Sequence, residues 1–364
     1  MPRPAVTASV ALARCAYYPV VRVSDIASAI ETLVGRGERM ALVTVVAVSG
    51  SAYRRPGARL LLPERGDPVG SVSPGCLEAE LGDRATDVME TGRPLLHRFD
   101  LTGDNETELG WGLGCNGIID VFIEPGATAV QLAEELNAVA AERSPRALVT
   151  LLEGPAAGAR LSLDVNGAVR RSLDLARLEE AAIEAARRTL VDERSALRRL
   201  GNAVRAFVEL ARPPLRLLIC GDRSDAEPLA AAGTALGWEV DRVGRREMPP
   251  SEDLDERTFA VVMNHHYVTD REHLRALLGS SVPYVGVLGP RVRSERLLAD
   301  LGVAGEDLPR VFAPAGLDIG AEGPQEVAQA IVAEVLAVSG GRSGGPLRDR
   351  AASIHEDEAL GARE

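Results

Sequence analysis

After Arg212-Pro213-Pro214 the chain alternates apolar, β-branched runs with amphipathic stretches so regularly that few folds accommodate it. Strands are expected at Leu215 to Cys220, Glu239 to Val243, Phe259 to Met263, Tyr284 to Leu288 and Arg310 to Phe312. Helices fill the intervals at Asp225 to Leu236, Asp270 to Leu278, Arg291 to Leu301 and Pro324 to Val338. Such alternation with short connections gives a parallel, doubly wound sheet, because parallel neighbours need a crossover helix between them. The proline pair cannot continue a helix and marks the boundary. The expected organisation is therefore α/β: a flexible leader over 1–22, a mixed α+β domain over 23–211, a Rossmann-like domain over 212–339, and a disordered tail over 340–364, glycine-rich and then charged.

In the first part, a helix is expected from Ser24 or Asp25 to about Arg36, and a buried strand at Met40 to Ser49. The loop Gly50-Ser51-Ala52-Tyr53-Arg54-Arg55-Pro56-Gly57 leads to a strand at Arg59 to Pro63 and a turn at Glu64 to Pro68. Val69 to Ser73 then reads as a strand, Pro74-Gly75 as a tight turn, and Leu77 to about Gly92 as a helix, which places Cys76 at a helix mouth. Unpaired N–H groups and the helix dipole favour a thiolate there, whereas Glu78 and Glu80 oppose it. Equally, a cysteine in such a turn is a small residue suited to burial. Leu109 to Gly117 holds four glycines around Cys115, among them Gly114, where the backbone can approach a ligand closely or simply bend between strands. A strand follows at Ile118 to Glu124 and a helix at Ala129 to Ala141. A hairpin is expected at Ala147 to Leu152 with Ala159 to Asp164, then a charged helical region from Leu173 to Leu200.

Composition excludes several chemistries. All 41 basic residues are arginine, so there is no Schiff-base lysine, no Walker lysine and no lysine general base. A net charge of -12 argues against nucleic acid as a partner. The four cysteines, Cys15, Cys76, Cys115 and Cys220, lack Cys-x-x-Cys spacing, so a disulfide framework or structural zinc is not expected and a reducing cytoplasm is the simpler setting. No run of 18 apolar residues exists for a membrane span.

In doubly wound sheets ligands sit beyond the carboxyl ends of the strands. Here those positions are Gly221-Asp222-Arg223, Gly244-Arg245-Arg246, Asn264-His265-His266, Gly289-Pro290-Arg291 and Ala313-Pro314. Glycine and arginine recur, which suits phosphate. Yet Gly221 to Ala226 keeps only the first glycine of a Gly-x-Gly-x-x-Gly fingerprint, and Gly244 stands where an acidic residue would hold a ribose. The usual NAD(P) site is eroded. His265 is preferred over His266 as the ligand-facing histidine.

Taken together, these residues resemble the XdhC/CoxI family, maturation proteins of molybdenum hydroxylases such as xanthine dehydrogenase and carbon monoxide dehydrogenase. The resemblance runs from about Ile26 to Val338. It rests on Gly50-Ser51 with Arg54 and Gly57, Gly70-Ser71 with Gly75-Cys76-Leu77-Glu78, Gly112-Leu113-Gly114-Cys115, Asn264-His265, Tyr284 to Gly289 with Arg291, and Ala313 to Glu322. It implies a cytoplasmic accessory protein that binds the molybdenum cofactor (molybdopterin, bare or as its cytosine dinucleotide), supports its sulfuration and inserts it into an apo-molybdenum hydroxylase. The cofactor contacts implied are Cys76, also the metal contact, with Cys115, Ser51, Arg54, Gly75, Glu78, Gly114, Gly221, His265, Gly289 and Arg291. The partners implied are the hydroxylase and a cysteine desulfurase, with a homodimer as the default assembly. Two other readings stay open: an NAD(P)-binding oxidoreductase, and a docking scaffold that never touches the cofactor.

Overall fold

The structure, a computed structural model, describes residues 23–73, 77–102, 116–171, 178–201, 204–250, 254–303 and 305–350. These form two compact units that meet in the chain between Arg212 and Pro213.

The first unit holds two antiparallel sheets. Helix α1 (Val23–Gly35) precedes β1 (Met40–Ser51), β2 (Arg59–Pro63), β3 (Val69–Gly70), α2 (Glu78–Thr91), β4 (Leu95–Asp100) and β5 (Asn116–Pro125). The sheet order is β3-β2-β1-β5-β4. Strand β1 lies at its centre with both faces covered: Ala41, Val43 and Val45 pack with Leu81, Ala85 and Val88 of α2, while Leu42 packs with Ile26, Ile30 and Leu33 of α1. Double coverage explains why β1 reads as a continuous apolar run instead of an alternating one. Helix α3 (Gly126–Glu142) then leads into β6 (Arg146–Leu151), β7 (Arg160–Asp164), β8 (Val169–Arg171), α4 (Glu179–Asp192), β9 (Ala196–Leu200) and β10 (Val204–Ala211), with sheet order β8-β7-β6-β10-β9.

Three expectations need correction. Helix α1 starts at Val23, so Ser24 and Asp25 fall inside its first turn instead of ahead of it. The strand expected to reach Ser73 stops at Gly70, which takes φ +97°; a Cβ there would lie 2.3 Å from the Arg59 carbonyl oxygen. The charged helical region to Leu200 ends at Asp192, where Glu193 turns left-handed at φ +53°, and Ala196–Leu200 becomes a strand paired with β10. Tertiary pairing overrides the helical propensity of Ala-Leu-Arg-Arg-Leu there.

The second unit matches the expected alternation closely. Its elements are β11 (Arg216–Cys220), α5 (Ala226–Ala235), β12 (Glu239–Val243), β13 (Thr258–Val262), α6 (Tyr267–Leu278), β14 (Tyr284–Val287), α7 (Arg291–Leu301), β15 (Val311–Phe312) and α8 (Pro324–Ser339). The strand order is β12-β11-β13-β14-β15 and every pairing is parallel. Alternate strand residues sort to opposite faces: Leu217, Ile219, Phe259 and Val261 join α5 and α8, while Leu218, Cys220, Ala260 and Val262 join α6 and α7. The order reverses at β11, so the crevice beyond β11 and β13 is the topological switch point.

Candidate functional site

At that crevice the backbone leaves little room. Met263 N donates to Cys220 O at 2.8 Å, and a Cβ on Gly221 would fall 2.8 Å from Met263 Cγ and 3.0 Å from its carbonyl oxygen. Only glycine fits at this crossing. His265 takes a left-handed backbone, φ +56°, uncommon outside glycine though histidine, like asparagine and aspartate, adopts it more readily than most side chains. Its Nε2 lies 2.5 Å from Asp225 Oδ2, and Asp225 stands at the N-cap of α5. The carboxylate thus occupies the end of the helix that would otherwise attract an anion. His266 serves its own helix: it is the N-cap of α6, and its Nδ1 accepts from Thr269 N.

The rim near β12 is acidic rather than basic. Glu247 Oε2 accepts from Gly244 N at 2.9 Å, and Asp222 Oδ2 lies 3.7 Å from where a Gly244 Cβ would be. Arg245 and Arg246 are exposed. At β12, then, the Gly244 N–H that the glycine and arginine spacing would offer to phosphate is taken by the Glu247 carboxylate, with Asp222 beside it. Beside the rim, a pocket of about 170 Å³ is lined by Asp225, Leu229, Met263, Leu288, Val327 and Ile331, among others.

On the opposite face of this sheet lies a buried polar network. Asp270, fully buried, accepts from Asn264 N at 3.0 Å and Asn264 Nδ2 at 3.1 Å, and is ion-paired with Arg293. Asn264 Nδ2 also lies 3.1 Å from His273 Nδ1, while His273 Nε2 donates to Glu247 O at 2.8 Å. Arg291, expected as a ligand contact, is exposed; Arg293 is the arginine that turns inward, with its Nη1 3.4 Å from where a Gly289 Cβ would stand. Sequence spacing gives no signal for that choice, because both arginines begin the same helix. Cys220 is buried and its thiol is pushed up to about 12, by burial first and the Asp270 charge second.

In the first unit, Cys76, Gly75, Cys115 and Gly114 lie outside the described residues. Helix α2 begins at Glu78, two positions after Cys76 in sequence. Ser73 Oγ donates to Glu78 Oε2 at 2.5 Å, and Leu77 N donates to the same oxygen at 3.2 Å. The Glu78 side chain thus folds back to cap its own helix, 7% exposed, and its Oε1 is buried without a hydrogen-bond partner among the described residues. Arg54 stacks on the Tyr53 ring at 5.2 Å from its centre, and its Nε is likewise buried without a partner among the described residues. Ser51 pairs across the sheet with Asn116, and Gly50 with Gly117, so the chain leading to Arg54 and the chain following Cys115 enter the sheet as neighbours.

Among the described residues, no three histidine, cysteine or acidic side chains are gathered as metal ligands, and no helix is long and apolar enough to cross a membrane.

An antiparallel two-sheet unit followed by a doubly wound unit with an acidic switch point is the class of molecule these elements define. Two family models match the chain: the XdhC and CoxI family over residues 33–100, and the XdhC Rossmann domain over residues 217–335. A Bacillus subtilis protein described as a probable xanthine dehydrogenase subunit is 29% identical, over 84% of this chain and 95% of its own. The molybdenum cofactor insertion chaperone PaoD of Escherichia coli is 26% identical, over 85% of this chain and 86% of its own. A solved structure described as a xanthine dehydrogenase from Bacillus halodurans superposes with a TM-score of 0.69 at 25% identity, covering 87% of this chain and 96% of that one. The chain belongs to the XdhC/CoxI family.

Proposed function

We propose that this protein is a maturation factor for a molybdenum hydroxylase of the xanthine dehydrogenase or carbon monoxide dehydrogenase type. It binds the molybdenum cofactor, shields it, supports its sulfuration together with a cysteine desulfurase, and delivers it to the apoenzyme in the cytoplasm, acting as a homodimer. The observation that carries this reading is the likeness to a cofactor insertion chaperone along 85% of the chain, through both units.

The residues of the first unit fit such a ligand. When bound, the cofactor would supply a thiophilic metal centre, and Cys76 with Cys115 would meet it with soft sulfur. Two polar atoms in the implied contact set are buried and unpartnered among the described residues, Arg54 Nε and Glu78 Oε1. An arginine donor serves the cofactor's phosphate, and a carboxylate oxygen serves the N–H groups of its pterin. Ser51, Gly75 and Gly114 would let the backbone approach. In the second unit His265, Gly221, Gly289 and Arg291 form a separate set that would contact a nucleotide group. The carboxylates of Asp222, Asp225 and Glu247 disfavour a pyrophosphate over α5, which also weighs against NAD(P).

The test is anaerobic titration of purified protein with free cofactor. Saturable binding that Cys76→Ala weakens at least about tenfold is expected. Wild-type protein that shows no saturable binding contradicts the reading, and an NAD(P)H fluorescence change would revive the oxidoreductase alternative.

A further inference from the structure

The two sheets of the first unit repeat one another. Helix α1 leads into β1-β2-β3-α2-β4-β5, and α3 into β6-β7-β8-α4-β9-β10, with the same strand order in each sheet. Registers coincide as well. Thr44 pairs with Arg59 and Leu42 with Glu124 in the first sheet; Thr150 pairs with Arg160 and Leu148 with Glu209 in the second. Both arginines donate through Nη1 to the carbonyl of a left-handed glycine two residues earlier, Gly57 at 3.1 Å and Gly158 at 3.3 Å. Those glycines donate in turn to Val45 O and Leu151 O, each at 2.8 Å.

The helices agree too. Helices α2 and α4 are each 14 residues long, begin after Leu77 and Leu178, and end at left-handed Gly92 and Glu193. Helices α1 and α3 share one apolar cluster, Ile26, Ala27, Ile30 and Leu33 meeting Leu132, Ala133, Leu136 and Val139. The buried ion pairs exchange partners between copies, Arg59 with Glu209 and Arg160 with Glu124, as a two-fold relation requires.

The second copy therefore shows what this fold needs, and the first departs from it in a few places. The β6–β10 ladder ends at Leu151 with Ala206, whereas the β1–β5 ladder passes the equivalent pair, Val45 with Val121, through a bulge and runs on to Ser51 with Asn116. Residues 201–203 join β9 to β10, while residues 101–115 join β4 to β5. Glu78 is buried at the start of α2, yet its counterpart Glu179 is about a third exposed, at 32%, and pairs with Arg171. Tyr53 and Arg54 lie in the connection where the second copy has Gly154 and Pro155.

We infer that the first unit is a duplicated αβββαββ fold in which ligand binding belongs to the first copy alone. Its binding surface is the extended β1–β5 ribbon with Arg54 and the buried Glu78, where the second copy ends its ladder at Ala206, carries Pro155 and leaves Glu179 partly exposed. This rests on the maturation reading for the identity of the ligand, not for the duplication.

The decisive variant replaces residues 102–115 by a Gly-Asn turn, giving β4–β5 a link as short as that of β9–β10. A second variant is Arg54→Gly. Wild type and both variants, as full chains, are compared by thermal melting and by anaerobic titration with molybdenum cofactor. Melting within about 5 °C of wild type, with cofactor affinity reduced at least about tenfold in both, is expected. A turn variant that fails to fold while Arg54→Gly keeps full affinity overturns the inference, as does full affinity in a well-folded turn variant. If wild type binds no cofactor, the maturation reading and the assignment of the ligand surface fail together; unchanged melting of the turn variant would then support the duplication alone.

Discussion

Arg160 on β7 donates through Nη2 to Glu124 Oε1 on β5 at 2.5 Å, with the two side chains 4% and 1% exposed, so a full ion pair is sealed between the two sheets. Arg59 and Glu209 form its counterpart. Removing one partner of such a pair leaves an uncompensated charge, which costs far more than the intact pair contributes. Glu124→Ala and Glu209→Ala should each lower stability by about 3–5 kcal/mol, and to a similar extent. Urea denaturation measures this; a large cost for one and almost none for the other would contradict the reciprocal arrangement.

The two arginines at the head of α7 should behave differently. Arg293 neutralises fully buried Asp270, so Arg293→Ala strands that carboxylate and should cost several kcal/mol, about 3–5. Arg291 is exposed, and Arg291→Ala should stay within about 0.5 kcal/mol of wild type in stability. Cofactor affinity of the Arg291 variant then reports ligand contact without a folding artefact.

How far the fold and the site are legible in the sequence varies along the chain. The second unit is legible because its central strands β11, β13 and β14 are apolar runs set among amphipathic helices, and local pattern and tertiary role agree. In the first unit, Ala196–Leu200 is not, since its two arginines at adjacent positions break the alternation and only pairing with β10 makes it a strand. The duplication is hidden for a related reason: aligned positions keep Arg, Glu, Gly and Thr at a handful of places, while core positions exchange freely, as Ile30 for Leu136 or Val88 for Thr189. At the rim, glycine and arginine spacing points to phosphate, but it does not show that Glu247 takes the Gly244 N–H, that Asp225 pairs with His265, or that Asp222 lies beside Gly244. The inward choice of Arg293 over Arg291 is likewise a matter of helix phase.

Cys220 should be chemically silent. With its thiol pushed up to about 12 by burial, almost no thiolate is present at neutral pH, and thiolate is the nucleophile. Iodoacetamide at pH 8 should leave the Cys220 peptide unmodified in native protein and alkylate it after denaturation, as read by mass spectrometry. Rapid native labelling would contradict the packing of the α6–α7 face.

Acid should weaken the fold through its depressed carboxylates. Hydrogen bonds from Arg205 hold Glu153 below the usual range, hydrogen bonds from Thr102 do so for Asp100, and backbone N–H groups of Glu322 and Gly323 do so for Glu326. A group lowered in the folded state contributes its full stability above its unfolded pKa and loses it as pH falls through the folded value. Stability should therefore be flat above about pH 5 with respect to these groups and decline below about pH 4, the unfolded carboxylate range. Melting temperature against pH tests this; a decline that starts near neutrality would point to other groups.

The proposed role of Cys76 is to hold molybdenum cofactor on the chain. The direct measurement is metal content and cofactor fluorescence after oxidation, on protein isolated without air from a cofactor-producing host, wild type beside Cys76→Ala. Cofactor in the wild type, and at least about tenfold less in an equally stable variant, is the predicted result. Equal cofactor in both would remove Cys76 from the site, and none in either would contradict the account and favour a docking scaffold.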